Sequence, residues 1–442
     1  PIAGFGLKGI DPADAEKVEK LVLDTLEEIA TKGFAEDQLD AALNTFEFNL
    51  REQNTGNTPR GMTYMFGALG TWLHGGDPLE ALVFEDALAS LKAKAAEGHF
   101  EKEIRRLFLD NTHRVTSTLE ADPEQAAREA KAEADRLAAV RAGLDDEALK
   151  KTLERTERLK ALQEAVDKPE DLAKIPTLTL GDLDREIRTI PTEESAVHGA
   201  RVLYHDLATL GIVYLDLGFD LHVLDKAQLP YLPLFGRALL QTGTSKEDFV
   251  SLTQRIGRTT GGVGQHRAIA TRQADGETAA WFFLSGKAVP DKLAPMLEIM
   301  NDVLLDARLD NRERFRQMAL EEKAGFEARL VPSGNAIVDT RIKAGLTEAG
   351  WIAEQMSGVS YLEFLRDLVK RIDSDWAGVE ATLRAMRERL FNRGRMVVNV
   401  TADNALWPKA QAEIADFVAT LPSAEIGNAD WGQAFEPQNE GL

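Results

Sequence analysis

The chain has 442 residues, 44% hydrophobic and 28% charged, which excludes a disordered polypeptide and predicts more than one hydrophobic core. No apolar run approaches the roughly 18 residues of a membrane helix, and the absence of cysteine removes disulfides, thiolate ligands and cysteine nucleophiles together. With 52 basic and 73 acidic residues the net charge is -21, a field that repels phosphate backbones and favours cationic peptides.

In chain order, Phe5–Gly9 (FGLKG) reads as a strand leading through an acidic turn into a helix, whose apolar face is Val18, Leu21, Val22, Leu26 and Ile29. The opening on Pro1, like the ending PQNEGL, reads as that of an excised or processed piece. A second helix through FAEDQLDAALNTFEFNLRE ends at the turn NTGN, 54–57. Further helices carry Trp72, and HRVTSTLEADP from His113 reads as a strand. Residues 123–166 are rich in Ala, Glu, Lys, Arg and Leu, with a break at AGLDDE, the pattern of a charged helical hairpin. Pro169, Pro176 and Pro191 then mark an extended linker.

The first block recurs. FFLSG (Phe282–Gly286) repeats Phe5–Gly9 at an offset of 277; NTGN matches PSGN (332–335) at 278; Trp72 matches Trp351 at 279; Arg114 matches Arg395 at 281. The second copy has an additional front part, about 200–281, with strands in RVLYHDL and GIVYLDLGFDL, a helix over Leu232–Gln241, and TTGGVGQ. The first copy lacks it. The fold class expected is α+β: repeated α/β units, each a mostly antiparallel sheet with helices packed on one face, joined by the hairpin. The expected boundaries are 1–122 for the second half of one unit, 123–198 for hairpin and linker, 199–424 for a complete unit, and 425–442 for a linker onward.

No catalytic constellation stands out from residue type and spacing. The seven histidines (74, 99, 113, 198, 205, 222 and 266) include no pair three to five residues apart, the spacing that sets two imidazoles on one helical face. The glycines of GFGLKG (4, 6 and 9) lie inside the strand candidate rather than after it, against a dinucleotide loop. Gly286-Lys287 is followed by Ala288, where a phosphate loop needs Ser or Thr. No Gly-x-Ser-x-Gly elbow occurs.

REQNTGNTPRG (51–61), GDPLEAL, NTHRVT, IPTLTLGDL, YLPLFGRALLQTGT, LTQRIGRTTGGV, AGWIAEQMSGVSYLEFL and MVVNVTADN together resemble the presequence-protease branch of the pitrilysin and insulin-degrading zinc metallopeptidase family. The resemblance implies four related units in two halves around a chamber that degrades short unstructured peptides, with zinc held in the first unit by an inverted His-x-x-Glu-His motif and a distal glutamate. It implies that this chain carries the back of unit two, the hairpin and unit three, without the zinc site, and is inactive alone. The motif positions of unit three correspond to Tyr231, Leu234 and Phe235, so no catalytic or metal-binding residue is carried over. Zinc belongs to the full-length protein and none to this chain.

Candidate chamber-facing residues are Arg51, Glu52, Asn54, Gly56, Arg60, Gly261 and Gly262, in turn-forming stretches. The expected partners are peptide substrates, cationic ones included, and the remaining units of the same polypeptide, with no nucleic acid and no membrane. The expected location is soluble and intracellular, in a bacterial cytoplasm or an organelle matrix. The alternative function is a non-catalytic binding or scaffold protein of the same fold.

Overall fold

Residues 193–402 supply the sheet in the computed structural model of the chain, which describes residues 3–34, 36–52, 55–187 and 189–431. The strands are β1 (Glu193–Val197), β2 (Ala200–Asp206), β3 (Val213–Asp220), β4 (Val263–Thr271), β5 (Thr278–Ala288) and β6 (Met396–Ala402). Their spatial order is β1-β2-β6-β3-β5-β4. Among the described residues β2 and β6 pair parallel and the other neighbours antiparallel.

The helices are α1 (Ala15–Lys32), α2 (Glu36–Glu52), α3 (Arg60–Trp72), α4 (Glu85–Ala95), α5 (His99–Ile104), α6 (Gln125–Ala142), α7 (Asp146–Glu164), α8 (Pro169–Leu172), α9 (Leu232–Gln241), α10 (Phe249–Thr259), α11 (Leu293–Asp306), α12 (Arg312–Arg329), α13 (Gly334–Ala344), α14 (Glu348–Ser357), α15 (Val359–Ser374), α16 (Trp376–Leu390) and α17 (Trp407–Thr420). Two compact units result: residues 1–33 with 100–189, and residues 34–99 with 190–442. The class is α+β, with the mostly antiparallel sheet that the alternating strands predict.

In the larger unit, strand alternation decides the faces. Leu215, Leu217 and Phe219 of β3, Phe282 and Leu284 of β5, and Val398 and Val400 of β6 are fully buried in one core with residues of α9, α11, α15, α16 and α17. Gly286 permits the closest approach of α11, because a Cβ there would lie 2.9 Å from Met296 Sδ. The intervening residues Tyr214, Asp216, Ser285, Lys287, Asn399 and Thr401 are only half-buried and form the other face.

β1 lies inside the stretch read from sequence as linker. It exists because His198 and Gly199 both adopt positive φ (47° and 89°), the backbone of a tight two-residue hairpin turn, which brings Val197 opposite Ala200. A histidine gives little warning of that conformation.

The smaller unit is helical. Arg105 Nη2 pairs with Glu27 of α1 at 2.6 Å, Thr116 Oγ1 donates to Glu19 at 2.8 Å, and the rings of Phe5 and Phe108 meet edge-on at 5.3 Å. α6 and α7 fall where the hairpin was predicted, with Gly143 after α6 and Asp145 capping α7 by accepting from Ala148 N at 2.7 Å. Neither helix has a buried residue.

The two strands expected in the first copy are not formed: Phe5–Gly9 and 113–122 have no β pairing. Their counterparts β5 and β6 gain ladders from β3, β4 and β2, all within the front part that the first copy lacks in this chain. Strand sequence without a partner leaves its N–H and C=O groups to water. Val115 and Leu119 are accordingly 89% and 99% exposed.

Candidate functional site

The half-buried sheet face carries a polar network. Asn399 Nδ2 donates to Asp216 Oδ2 at 3.0 Å, and Asn399 Oδ1 lies 2.7 Å from His205 Nε2. On the other side of the face, Ser285 Oγ and His266 Nδ1 are 3.3 Å apart, and the His266 ring stacks on Phe283 at 4.9 Å. Such alternation of polar and aromatic groups on an incompletely covered sheet face offers hydrogen bonds and flat apolar area together.

α2 docks at one end of this face through side chains. Asn44 Nδ2 donates to the carbonyls of Gly257 and Thr260 (2.7 and 2.8 Å), satisfying groups at the C-terminal end of α10, while Lys292 Nζ donates to Arg258 O at 2.7 Å. Phe48, 4% exposed, packs on Gly261, where a Cβ would sit 2.5 Å from its ring. At the last turn Glu52 pairs with Lys287 and accepts from Tyr214 Oη at 3.2 Å. Burial, with the neighbouring Glu52 charge adding to it, pushes the Tyr214 phenol up to about 12, so the donor stays protonated.

Beyond Glu52 lies a cavity of about 180 Å³, lined by Arg51, Glu52, Arg60, Leu207, Ala208, Thr209, Leu210, Tyr214 and Thr401. It sits past the carboxyl ends of the parallel pair β2 and β6, where open sheets commonly place ligands. One wall is the 207–211 loop, clamped by Asp403, which accepts from Thr209 Oγ1 (2.9 Å), Gly211 N (3.2 Å) and Thr209 N (3.3 Å). The Thr209 hydroxyl is the chief reason that the Asp403 carboxyl titrates below its ordinary range. Within this clamp Leu210 is held at φ 55°, a region rarely used outside glycine, with its side chain 75% exposed.

Of the residues singled out from sequence, Arg51, Glu52 and Arg60 meet in this cavity. Gly261 and Gly262 lie off its wall, at the passage from α10 to β4; Gly261 N donates to Lys287 O at 2.7 Å, and Gly262 has φ 122°. Gly56, at φ 55°, forms the turn before α3, and Asn54 lies outside the described residues. Tyr214, Thr401, Leu207, Leu210 and Lys287 were not anticipated. Alternation in GIVYLDLG was the available signal for Tyr214, since it puts that tyrosine opposite the apolar face; a left-handed leucine has none.

The three positions matched to the zinc motif do not fit a metal. Tyr231, Leu234 and Phe235, at the start of α9, are 2%, 0% and 0% exposed. Tyr231 meets Phe364 edge-on at 4.7 Å, and Phe235 stacks on Phe391 at 5.8 Å. Leu and Phe have no donor atom, and the Tyr231 ring is packed between Phe364 and the Arg371 guanidinium, whose charge opposes a bound cation. Among the described residues, no group of three or more His, Cys, Asp or Glu is placed to hold an ion.

The family of regions associated with peptidase M16, subfamily C, matches residues 119–368. The chain belongs to this family. Its likeness to presequence proteases extends beyond the matched region: it is 37% identical to presequence protease 1, chloroplastic/mitochondrial, of Arabidopsis thaliana over 100% of this chain and 41% of that protein. It is 24% identical to the mitochondrial presequence protease of Danio rerio over 94% of this chain and 40% of that one. The chain thus spans about two fifths of the length of these curated relatives. A crystal structure of a peptidase M16 inactive domain from Pseudomonas fluorescens aligns with a TM-score of 0.39 and 18% identity, covering 54% of this chain and 53% of that one. In this peptidase-associated chain, no helix among the described residues is long and apolar enough to cross a membrane.

Proposed function

We propose that the chain is the non-catalytic, peptide-facing part of a zinc metallopeptidase that degrades short unstructured peptides. The observation that carries this reading is the half-buried polar face of the sheet, with its cavity, in a chain whose relatives are presequence proteases over nearly its whole length. On this reading the face forms a wall of the degradation chamber, zinc is held elsewhere in the full-length protein, 1–122 and 199–424 are related in sequence, and the α6–α7 arm acts as a hinge of the full-length protein. The surplus of acidic residues suits cationic peptides.

The test uses the purified chain, zinc and a fluorescently labelled presequence-like peptide. Binding without cleavage is expected. Sustained turnover that a chelator abolishes would overturn the assignment of a non-catalytic role, and absence of any peptide binding would remove the wall.

A further inference from the structure

We propose that the cavity between the end of α2 and the 207–211 loop is a receptor for the C-terminal carboxylate of a peptide ending in an apolar residue. The inference deepens the peptide-facing reading above and rests on it for the kind of ligand.

Among the charged residues that line the cavity, one cation is left over; Asp403, behind the 207–211 loop, is met by the Thr209 and Gly211 donors. Arg51 is paired with Glu47 at 2.7 Å, and Glu52 with Lys287. Arg60, at the first position of α3, forms no ion pair and no side-chain hydrogen bond among the described residues, so its guanidinium is free to take an anion. The Thr401 hydroxyl on the floor is likewise uncommitted among the described residues, whereas Tyr214 already donates to Glu52. The start of α3 adds a favourable dipole for a negative group beside Arg60. In a chain of net charge -21, this is a local site of opposite sign.

The rest of the lining is apolar. Leu207, Ala208 and Leu210 come from the loop clamped by Asp403, and the unusual φ of Leu210 keeps an apolar side chain turned to solvent at the cavity. A volume of about 180 Å³ falls below the roughly 300–1,000 Å³ of pockets that enclose whole ligands, and suits a single residue. A carboxylate and an apolar group on one residue describe a chain terminus such as leucine. An internal Asp or Glu brings the charge without the apolar partner.

The test measures binding of this chain to an N-terminally labelled unstructured peptide ending in Leu, as the free acid and as the amide, together with N-acetyl-leucine and N-acetyl-leucinamide. The acid is expected to bind about tenfold more tightly than the amide. Arg60→Ala should abolish that preference, weakening the acid about tenfold more than the amide. Leu210→Gly, which suits the backbone, should weaken the Leu-ending peptide but not one ending in Gly. Circular dichroism checks that both variants fold.

Equal affinity for acid and amide, or an acid preference that survives Arg60→Ala, overturns the proposal while leaving a peptide-facing wall in place. Displacement by inorganic phosphate with no dependence on the last side chain makes the cavity a plain anion site and also overturns it. Failure of every peptide to bind, with N-acetyl-leucine still preferred over its amide, would instead keep the cavity assignment and remove the wall.

Discussion

Glu52 and Lys287 are 235 positions apart and form an ion pair that fixes the last turn of α2 to β5, with side chains only 15% and 24% exposed. Together with the Tyr214 hydrogen bond it sets one wall of the cavity. Removing one partner leaves a charge that has lost much of its water. Glu52→Ala should therefore lower stability by about 1–3 kcal/mol. A double-mutant cycle with Lys287→Ala in urea unfolding should give a coupling near ~1 kcal/mol; additive single effects would show that the pair does not hold α2.

Tyr214 supplies a pH dependence. Its folded value is raised, to about 12 from 10.0, so the folded state holds this proton more tightly than the unfolded one. The associated stability is complete below pH 10 and is lost as pH rises through about 12. Tyr214→Phe should flatten that part of the alkaline unfolding curve and remove one late-ionising phenol from an ultraviolet titration of the five tyrosines. An unchanged titration above pH 10 would contradict the burial.

Asp302 on α11 should govern the acid side. It is 5% exposed and receives Lys246 Nζ and Arg255 Nη2, each at 2.7 Å. Burial alone would push its carboxyl up, but the two cations outweigh it and hold it below the ordinary value. A depressed carboxyl stabilises the fold above its unfolded value and stops doing so as pH falls through its folded value. Asp302→Asn should cost about 3 kcal/mol at neutral pH, and the gap from the unmodified chain should shrink steadily on acidification. A gap independent of pH would mean that the carboxylate charge is not what matters.

Gly261 tests the seating of α2 by shape. A Cβ would lie 2.5 Å from the Phe48 ring and 2.9 Å from Lys287 Cγ. Gly261→Ala should destabilise by about 1–3 kcal/mol through overpacking. Adding Phe48→Leu should return part of that loss, because the obstruction is then smaller. If the double variant in thermal unfolding is no better than the sum of the singles, the clash lies elsewhere.

Local patterns were legible where an element needs nothing from afar. The hairpin helices, the recurring helix order and the alternating strands of 200–288 and 396–402 follow from periodicity and caps that sit in the same stretch of chain. The strand candidates at 5–9 and 113–122 show the limit of such reading. Their composition resembles that of β5 and β6, and only the presence of neighbours separates the outcomes. Likewise Arg51, Glu52 and Arg60 stand close in sequence and could be grouped, whereas Leu210 with Tyr214, and Thr401, reach the same cavity from two other places.

The sequence by itself determined the α+β class and the absence of ligand-type side chains at Leu234 and Phe235, because these depend on residue type and spacing alone. Tertiary structure decided that α2 would dock beside β5, that the 207–211 loop would hold a leucine in a glycine-like conformation, and that Arg60 would be left without a counter-ion among the described residues. Those are properties of groups brought together across hundreds of residues, where burial and the supply of partners, rather than local preference, set the energy.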